Sequence, residues 1–416
     1  MSAPWPELTV DDVKAPGPNA LAGGPFGSDL VSADYLESGV PVIRGSNFAD
    51  DERRAIVGPF AFVDPDKAAA LARCQARPGD VVFTQRGTVG QVAVIPDDLP
   101  YETYVISQSQ MKLTCDPARV LPEFVYYWFR SPRIQGYIDR HTIATGVPHI
   151  NLGILRQTPI AVPPLAEQAA IVAALDAFDA RVGALRGLAA ASVDLLRELF
   201  YAHFVARDAP ALTDMSHEPW PEGPLMGLAD FDNGAAFRPD DLGPHGEGRP
   251  VIKIGELRRG VGPQTRWSAG GGRRPRPIAD GDLLFAWSGT PETSIGTFVW
   301  GGGDAWLNQH IFRVEPRLAG DRPFLYALLC RLQPELVEIA RNHQTTGLGH
   351  VPKRDLRRLT VPTPPPAVRR AFGELAAPLY RVQVEVQAEI TALLRARDHL
   401  LPALLGGEVP APVAPS

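Results

Sequence analysis

The chain has 416 residues and a mass of 45.0 kDa, too long for one small core and enough for two or three domains. At 45% hydrophobic and 21% charged it has the composition of a packed protein, not a disordered one. A formal charge of -6 and a pI near 5.9 argue against a general polyanion binder but leave room for local basic surfaces. Lysine accounts for five of the 41 basic residues and arginine for the rest. Arginine's planar fork suits guanine edges, phosphates and carboxylates, although genomic base composition accounts for the same bias.

Cys74, Cys115 and Cys330 are scattered without a CxxC pair, against a disulfide framework or a structural zinc. The N-terminus does not resemble a signal peptide and no apolar run reaches 18 residues. The expectation is a soluble protein of the cytoplasm, with no membrane partner.

Taken in order, the chain repeats itself. Pro4-Trp5-Pro6-Glu7 returns as Pro219-Trp220-Pro221-Glu222, and Pro41-Val42-Ile43-Arg44 as Pro250-Val251-Ile252-Lys253. Pro78-Gly79-Asp80-Val81-Val82-Phe83 is answered by Asp280-Gly281-Asp282-Leu283-Leu284-Phe285, then Gly87 by Gly289 and Gln108 by Gln309. Thr145-Gly146-Val147-Pro148-His149-Ile150 is answered by Thr346-Gly347-Leu348-Gly349-His350-Val351. The order holds while the offset falls from 215 to 201 residues, so two homologous domains differ in loop length. A period this long is not a solenoid.

Each half runs from short strands around a glycine turn (Arg86-Gly87-Thr88-Val89-Gly90 or Ser288-Gly289) to aromatic and aliphatic helices. Each then meets a proline cluster, at Pro163-Pro164 and at Pro362 to Pro366, followed by a long helix. In the first helix Ile171, Leu175, Phe178, Val182, Leu185, Ala189, Ser192, Leu196 and Leu199 fall at alternating spacings of four and three. Phe372, Leu375, Leu379, Val382, Val386, Leu393 and Leu400 give the second a similar stripe, with Pro378 expected to bend it.

The expected fold class is α+β. Two homologous globular domains, 1–164 and 209–362, alternate with helical regions 165–208 and 363–408, and 409–416 forms a flexible tail. The helices are expected to pair as an antiparallel coiled coil, making a pseudo-two-fold dumbbell. The alternative is that each helix covers its own domain.

Catalytic signatures are missing: no GxxxxGK[ST] loop, HExxH, GxSxG elbow or Asn-Pro-Pro-Tyr occurs. The nearest nuclease-like element is Asp12-Val13-Lys14, without an upstream carboxylate partner.

Basic charge gathers between Arg249 and Arg276. Lys253, Arg258, Arg259, Arg266, Arg273, Arg274 and Arg276 lie there with Glu256 as the acidic residue opposing them, a pattern suited to phosphate contact. Arg44, Arg86 and Ser288 are further candidates at the repeated turns. The shared Thr-Gly turn offers Thr145, Gly146 and His149 with Arg140 upstream, and Thr346, Gly347 and His350 with Arg341 upstream. It can face a phosphate or serve as a connector. Gln108 and Gln309 can offer amides to adenine or hold a neighbouring loop.

Gly24-Pro25-Phe26-Gly27-Ser28, the Pro78 to Gly90 segment, and the Thr145-Gly146 turn leading into Ile160-Ala161-Val162-Pro163-Pro164-Leu165 and Glu167-Gln168 resemble the specificity subunits of type I restriction-modification systems. The resemblance covers nearly the whole chain. It implies two target recognition domains, each reading one half of a split asymmetric site in double-stranded DNA. It also implies helical regions that set the gap and dock two modification (methyltransferase) subunits, with restriction (translocase-nuclease) subunits joining that core in anti-phage defence. S-adenosylmethionine, ATP and magnesium would then belong to the partners, and this chain would hold no cofactor, metal or catalytic group. The second half departs from the pattern, with Phe231-Asp232-Asn233-Gly234 near the Gly-Pro-Phe-Gly position and Ala367-Val368-Arg369-Arg370 in place of the Glu-Gln pair. Two other readings stand beside this one: a stand-alone site-specific nuclease using Asp12 and Lys14, and a non-catalytic anti-phage scaffold.

Overall fold

Contacts divide the chain into two units, Met1–Gly183 with Ala396–Ser416, and Ala184–Arg395. The computed structural model describes residues 5–48, 55–213, 220–262, 264–270, 272–345 and 347–410. Thr346 and 411–416, most of the expected tail, lie outside the described residues.

In the first unit the strands are β1 (Glu7–Thr9), β2 (Leu21–Gly23), β3 (Val40–Ile43), β4 (Ala61–Val63), β5 (Gln75–Ala76), β6 (Val81–Thr84), β7 (Val92–Val94), β8 (Tyr104–Ile106), β9 (Gln110–Leu113) and β10 (Pro159–Ala161). They build one sheet in the order β2-β9-β6-β7, a second in the order β4-β3-β8-β5, and a β1-β10 pair. The helices are α1 (Pro65–Ala70), α2 (Pro122–Arg130), α3 (Pro132–His141), α4 (Leu152–Arg156) and the first half of α5 (Leu165–Tyr201).

Strand β6 explains the layering. Its side chains alternate in direction, so Val81 and Phe83 enter a core with α2 and α3, while Val82 enters a core with β3 and β8. All four residues of β6 are buried, and its sequence is accordingly continuous in apolar character rather than alternating.

The second unit repeats this plan with β11 (Glu222–Pro224), β12 (Ala229–Asn233), β13 (Arg249–Ile252), β14 (Trp267–Ser268), β15 (Pro277–Ile278), β16 (Leu283–Ala286), β17 (Ser288–Gly289), β18 (Gly296–Val299), β19 (Ala305–Leu307), β20 (Ile311–Pro316), β21 (Gly349–His350) and β22 (Thr360–Pro362). Its sheets run β12-β20-β16-β18 and β14-β13-β19-β15, with pairs β11-β22 and β17-β21. Position for position this is the order of the first unit, including one parallel pairing in each, β3 with β8 and β13 with β19. Helices α6 (Ile254–Arg259), α7 (Pro291–Ser294), α8 (Arg322–Arg331), α9 (Gln333–Asn342) and α10 (Lys353–Leu356) precede the long α11 (Pro366–Leu405). The duplication expected from the sequence is a duplication of topology.

The repeated Gly-Asp motif has a structural cause. Asp80 is buried and accepts from Lys112 Nζ at 3.2 Å, Thr114 Oγ1 at 2.6 Å and its own turn at Arg77 N. Asp282 does the same work with Arg313 at 3.1 Å and Ala279 N at 3.0 Å. A buried carboxylate is tolerated where such partners surround it.

Proline opens each long helix and one side chain ties it to the domain before it. Gln168 is fully buried, accepting from Leu121 N at 2.9 Å and donating to Arg119 O and Pro163 O at 2.8 Å. In the second unit Arg369 stands in its place. It donates to Pro364 O at 2.9 Å and to Asp321 at 2.8 Å, both side chains being less than a tenth exposed. The missing Glu-Gln pair is thus replaced by a buried ion pair.

The two long helices pack on each other within each unit. In the first, Arg397 of α11 donates to Asp179 of α5 at 2.9 Å. In the second, Gln383 bonds Ala189 O and Ser192, and the rings of Phe372 and Phe200 lie 5.9 Å apart. As α5 ascends α11 descends, so they run antiparallel there. The α5 stripe is buried as expected at Ile171, Leu175, Val182, Leu185 and Leu196, with Phe178 and Leu199 half-buried. The α11 stripe needs correction. Leu375 is 43% exposed while Ala376 is fully buried, and Leu379, Val382 and Leu393 are flanking, half-buried positions beside buried Tyr380, Val386 and Leu394. Ala376, Thr391 and Arg397 occupy the buried line, and an apolar count passes over such residues. Helix α11 continues unbroken through Pro378.

Candidate nucleic-acid interface

In both units the loops at one end of the two sheets are laced together. In the first, Ser107 N donates to Ile43 O, Gly24 N to Gln110 O, Gln85 N to Ser109 O and Ile150 N to Gln85 O, all at 2.7–3.0 Å. The loops after β2, β3, β6 and β8 thereby meet the Thr-Gly turn. His149 forms a bridge with Arg86 and another with Ile143. In the second unit Asn308 N donates to Ile252 O, Ala235 N to Leu307 O and Val351 N to Trp287 O, and Ser288 pairs with His350. The glycine turn and the Thr-Gly turn, far apart in sequence, are neighbours in each.

Gly24 has a counterpart after all. Any Cβ there would collide with the Ser107 carbonyl, and one at Gly234 would collide with those of Leu307 and Asn308. Close backbone approach requires glycine at both places, so Asn233-Gly234 occupies the Gly-Pro-Phe-Gly position.

The candidate residues separate into groups. Arg86, Arg140, Thr145 and Gly146 are exposed and His149 is half-exposed. Arg44 is half-buried, its guanidinium 5.8 Å from the Tyr35 ring. Gln108 spends its amide nitrogen on the neighbouring loop after β2, donating to Gly27 O at 2.6 Å and Leu30 O at 3.0 Å, so it braces the surface instead of offering a bidentate amide. Gln309 is exposed with its amide nitrogen 3.3 Å from the His310 ring nitrogen.

In the second unit Lys253, Arg266, Arg273, Arg274 and Arg276 are exposed and have no ion pair among the described residues. Arg259 folds its guanidinium over Gly255. Arg258 turns away from them: its guanidinium sits 5.6 Å from the Phe298 ring and lines a cavity of about 470 Å³ bounded by α5, α11 and β18. Desolvation there lowers its pKa from the ordinary arginine value even though part of the side chain stays exposed. Arg341 is held by Glu292 at 2.8 Å and Glu338 at 3.2 Å, hydrogen bonds that raise its pKa. Ser288 pairs with His350 beside Gly347. Thr346 is outside the described residues.

Sequence reasoning passed over three exposed apolar side chains on these loops. Phe26, 71% exposed, lies beneath Arg73 at 5.7 Å, and Val147 and Leu348 stand at the Thr-Gly turns. Their signal was visible as apolar residues inside glycine- and proline-rich turns.

Asp12 and Lys14 do not form a site together. Asp12 accepts from Thr9 N and Thr9 Oγ1 at 2.8 and 2.7 Å, and these bonds lower its pKa. Lys14 pairs with Asp11 at 2.6 Å. Among the described residues no group of three or more His, Cys, Asp or Glu is placed to hold a metal ion, and no helix is long and apolar enough to cross a membrane.

A duplicated pair of sheet-borne loop clusters joined to long paired helices defines a class of modular recognition protein. Residues 72–189 and 217–390 match the model of the type I restriction modification DNA specificity domain, and the chain belongs to that family. It is 20% identical over 425 residues to the MjaIX type I restriction enzyme specificity subunit of Methanocaldococcus jannaschii, covering 97% of this chain and 93% of that one. The type I restriction-modification S subunit from M. genitalium shares its fold with a TM-score of 0.50 and 19% identity, covering 97% of this chain and 96% of that one.

Proposed function

We propose that the chain directs a type I restriction-modification complex to a bipartite, asymmetric site in double-stranded DNA, each unit reading one half through its loop cluster. The observation that carries this is a shared backbone topology whose end loops bear different side chains, Arg86 against Ser288 and Phe26-Gly27 against Ala236-Phe237. A common frame with different loops suits two different half-sites.

The chain itself supplies recognition. Adenine methylation with S-adenosylmethionine belongs to two modification subunits, and ATP- and magnesium-dependent work to restriction subunits. Exposed Leu188 and Leu195, each 51% exposed and two turns apart on α5, give modification subunits an apolar strip to dock on. The long helices set the unread gap, so four residues inserted after Leu185 change its length and leave both half-sites intact. The nuclease reading has lost its pair, since Asp12 and Lys14 bond elsewhere.

Mapping methylated adenines in a host carrying this chain with its modification subunits tests the reading. A split motif is expected. Methylation at sites without a common motif would leave the scaffold reading instead.

A further inference from the structure

Val147 and Leu348 occupy equivalent places in the two units, each directly after the glycine of the Thr-Gly turn. Val147 is 58% exposed and Leu348 is 59% exposed. Gly146 and Gly347 have φ of +80° and +85°, a backbone state that L side chains rarely adopt, so each turn projects the next residue in a set direction. The turns are tied down as well. Ile143 and His149 exchange backbone hydrogen bonds of 2.8 and 3.2 Å, and Thr345 and Leu348 exchange bonds of 2.9 and 3.1 Å.

A single exposed aliphatic residue needs no explanation. Recurrence at one place in two diverged units does. Around these residues Arg86 has become Ser288, Pro148 has become Gly349 and Ala144 has become Thr345, yet a branched aliphatic side chain stands outward at both. Neither belongs to its unit's buried core, so the fold does not demand it.

We infer that Val147 and Leu348 are matched apolar contacts to DNA bases, one per half-site, each reaching from its turn toward a base step or a thymine methyl. The inference rests on the DNA-reading function proposed above and adds the residues through which both units touch bases by the same chemistry. Aliphatic side chains carried into a groove contact thymine methyls or wedge into flexible steps. The exposed Arg86, whose backbone bridges His149 two residues beyond Val147, and Lys253, exposed on the second unit's laced loops directly after Ile252, give the loop clusters charge for phosphates. The bridge from Arg86 to the Val147 turn favours DNA over an apolar protein partner.

The test uses the full chain with its modification subunits, a duplex bearing the mapped motif, and the variants Val147→Ser, Leu348→Ser and Val147→Leu. Each serine variant is expected to weaken binding to the motif about ten-fold. The loss should be confined to base preference in one half-site, with the slope of binding against salt unchanged because no phosphate contact is removed. Val147→Leu should retain binding. With 2-aminopurine placed along each half-site, a rise in fluorescence that the serine variant abolishes marks a wedge. Uracil in place of one thymine reproducing the serine loss marks a methyl contact. Motif affinity unchanged in both serine variants would overturn the inference while leaving the proposed function intact. Failure of the variants to assemble with modification subunits, with DNA affinity retained by the chain, would assign the residues to a protein contact and also overturn it. If the unsubstituted complex shows no preference for any duplex, the proposed function falls and this inference with it.

Discussion

The two units share strand order, turn bridges and closely approaching glycines, but they solve the same local problems with different chemistry. Where α5 joins its unit, the buried group is the neutral amide of Gln168; where α11 joins, it is the Arg369–Asp321 ion pair. Under the first sheet Asp80 is answered by one lysine and a threonine, and under the second Asp282 by two arginines, Arg313 and Arg322. Backbone geometry is what the duplication preserved. Side chains were free to change wherever hydrogen-bonding capacity was kept.

The junctions give the largest expected difference. Arg369→Ala leaves Asp321 buried without its cation and should cost about 3–5 kcal/mol. Gln168→Ala leaves neutral backbone groups unsatisfied and should cost about 1–3 kcal/mol. The two also differ with pH. Burial raises the Asp321 carboxyl above its ordinary value, and Arg369 offsets part of that. A carboxyl raised in the folded state holds its proton to higher pH than in the unfolded chain, so it costs stability as pH rises through that window. Without Arg369 the rise is larger. The Arg369→Ala deficit should therefore be greatest at neutral pH and shrink toward about pH 4, near the ordinary aspartate value, whereas the Gln168→Ala deficit stays flat. Urea unfolding across pH, with hydrogen exchange resolving each unit, measures both.

Next in size, Gly24→Ala and Gly234→Ala should each destabilise their own unit by about 1–3 kcal/mol, since both drive a Cβ into backbone carbonyls. Unequal effects, with one substitution tolerated, would break the equivalence of Gly234 with Gly24.

Smaller effects are expected on DNA. Arg273→Ala with Arg274→Ala should lower the salt slope of binding by about two, and Arg86→Ala by about one. Arg258→Ala should leave it unchanged, because that side chain lines the cavity against Phe298. Arg341→Ala should likewise leave it unchanged, since its guanidinium is already committed to Glu292 and Glu338. Fluorescence titrations over a range of salt measure all four.

Much of the fold was legible because the repeated motifs are places where backbone or burial admits few residues. The Gly-Asp of the β6 and β16 turns, the Thr-Gly turns and the prolines before each long helix are of this kind. The register of α11 was not legible, since Ala376, Thr391 and Arg397 lie on its buried line and Leu375 and Leu400 do not. An ion pair such as Arg397–Asp179 joins residues too distant in sequence for periodicity to reveal. The candidate site was legible as turns and as a basic stretch. It was not legible as directions: nothing in Arg258-Arg259 shows that one arginine lines a cavity and the other folds over a glycine. Gly234 was hidden because its neighbours changed while its contact with the Asn308 carbonyl stayed.

The central claim is that one backbone plan, used twice, reads two different half-sites. Measuring the affinity of the chain with its modification subunits for a duplex library, with every base pair of the bound site varied in turn, tests it most directly. The account predicts two separated blocks of sensitive base pairs, different in sequence, with an insensitive gap between them. One continuous block, or two blocks of identical sequence, would contradict it.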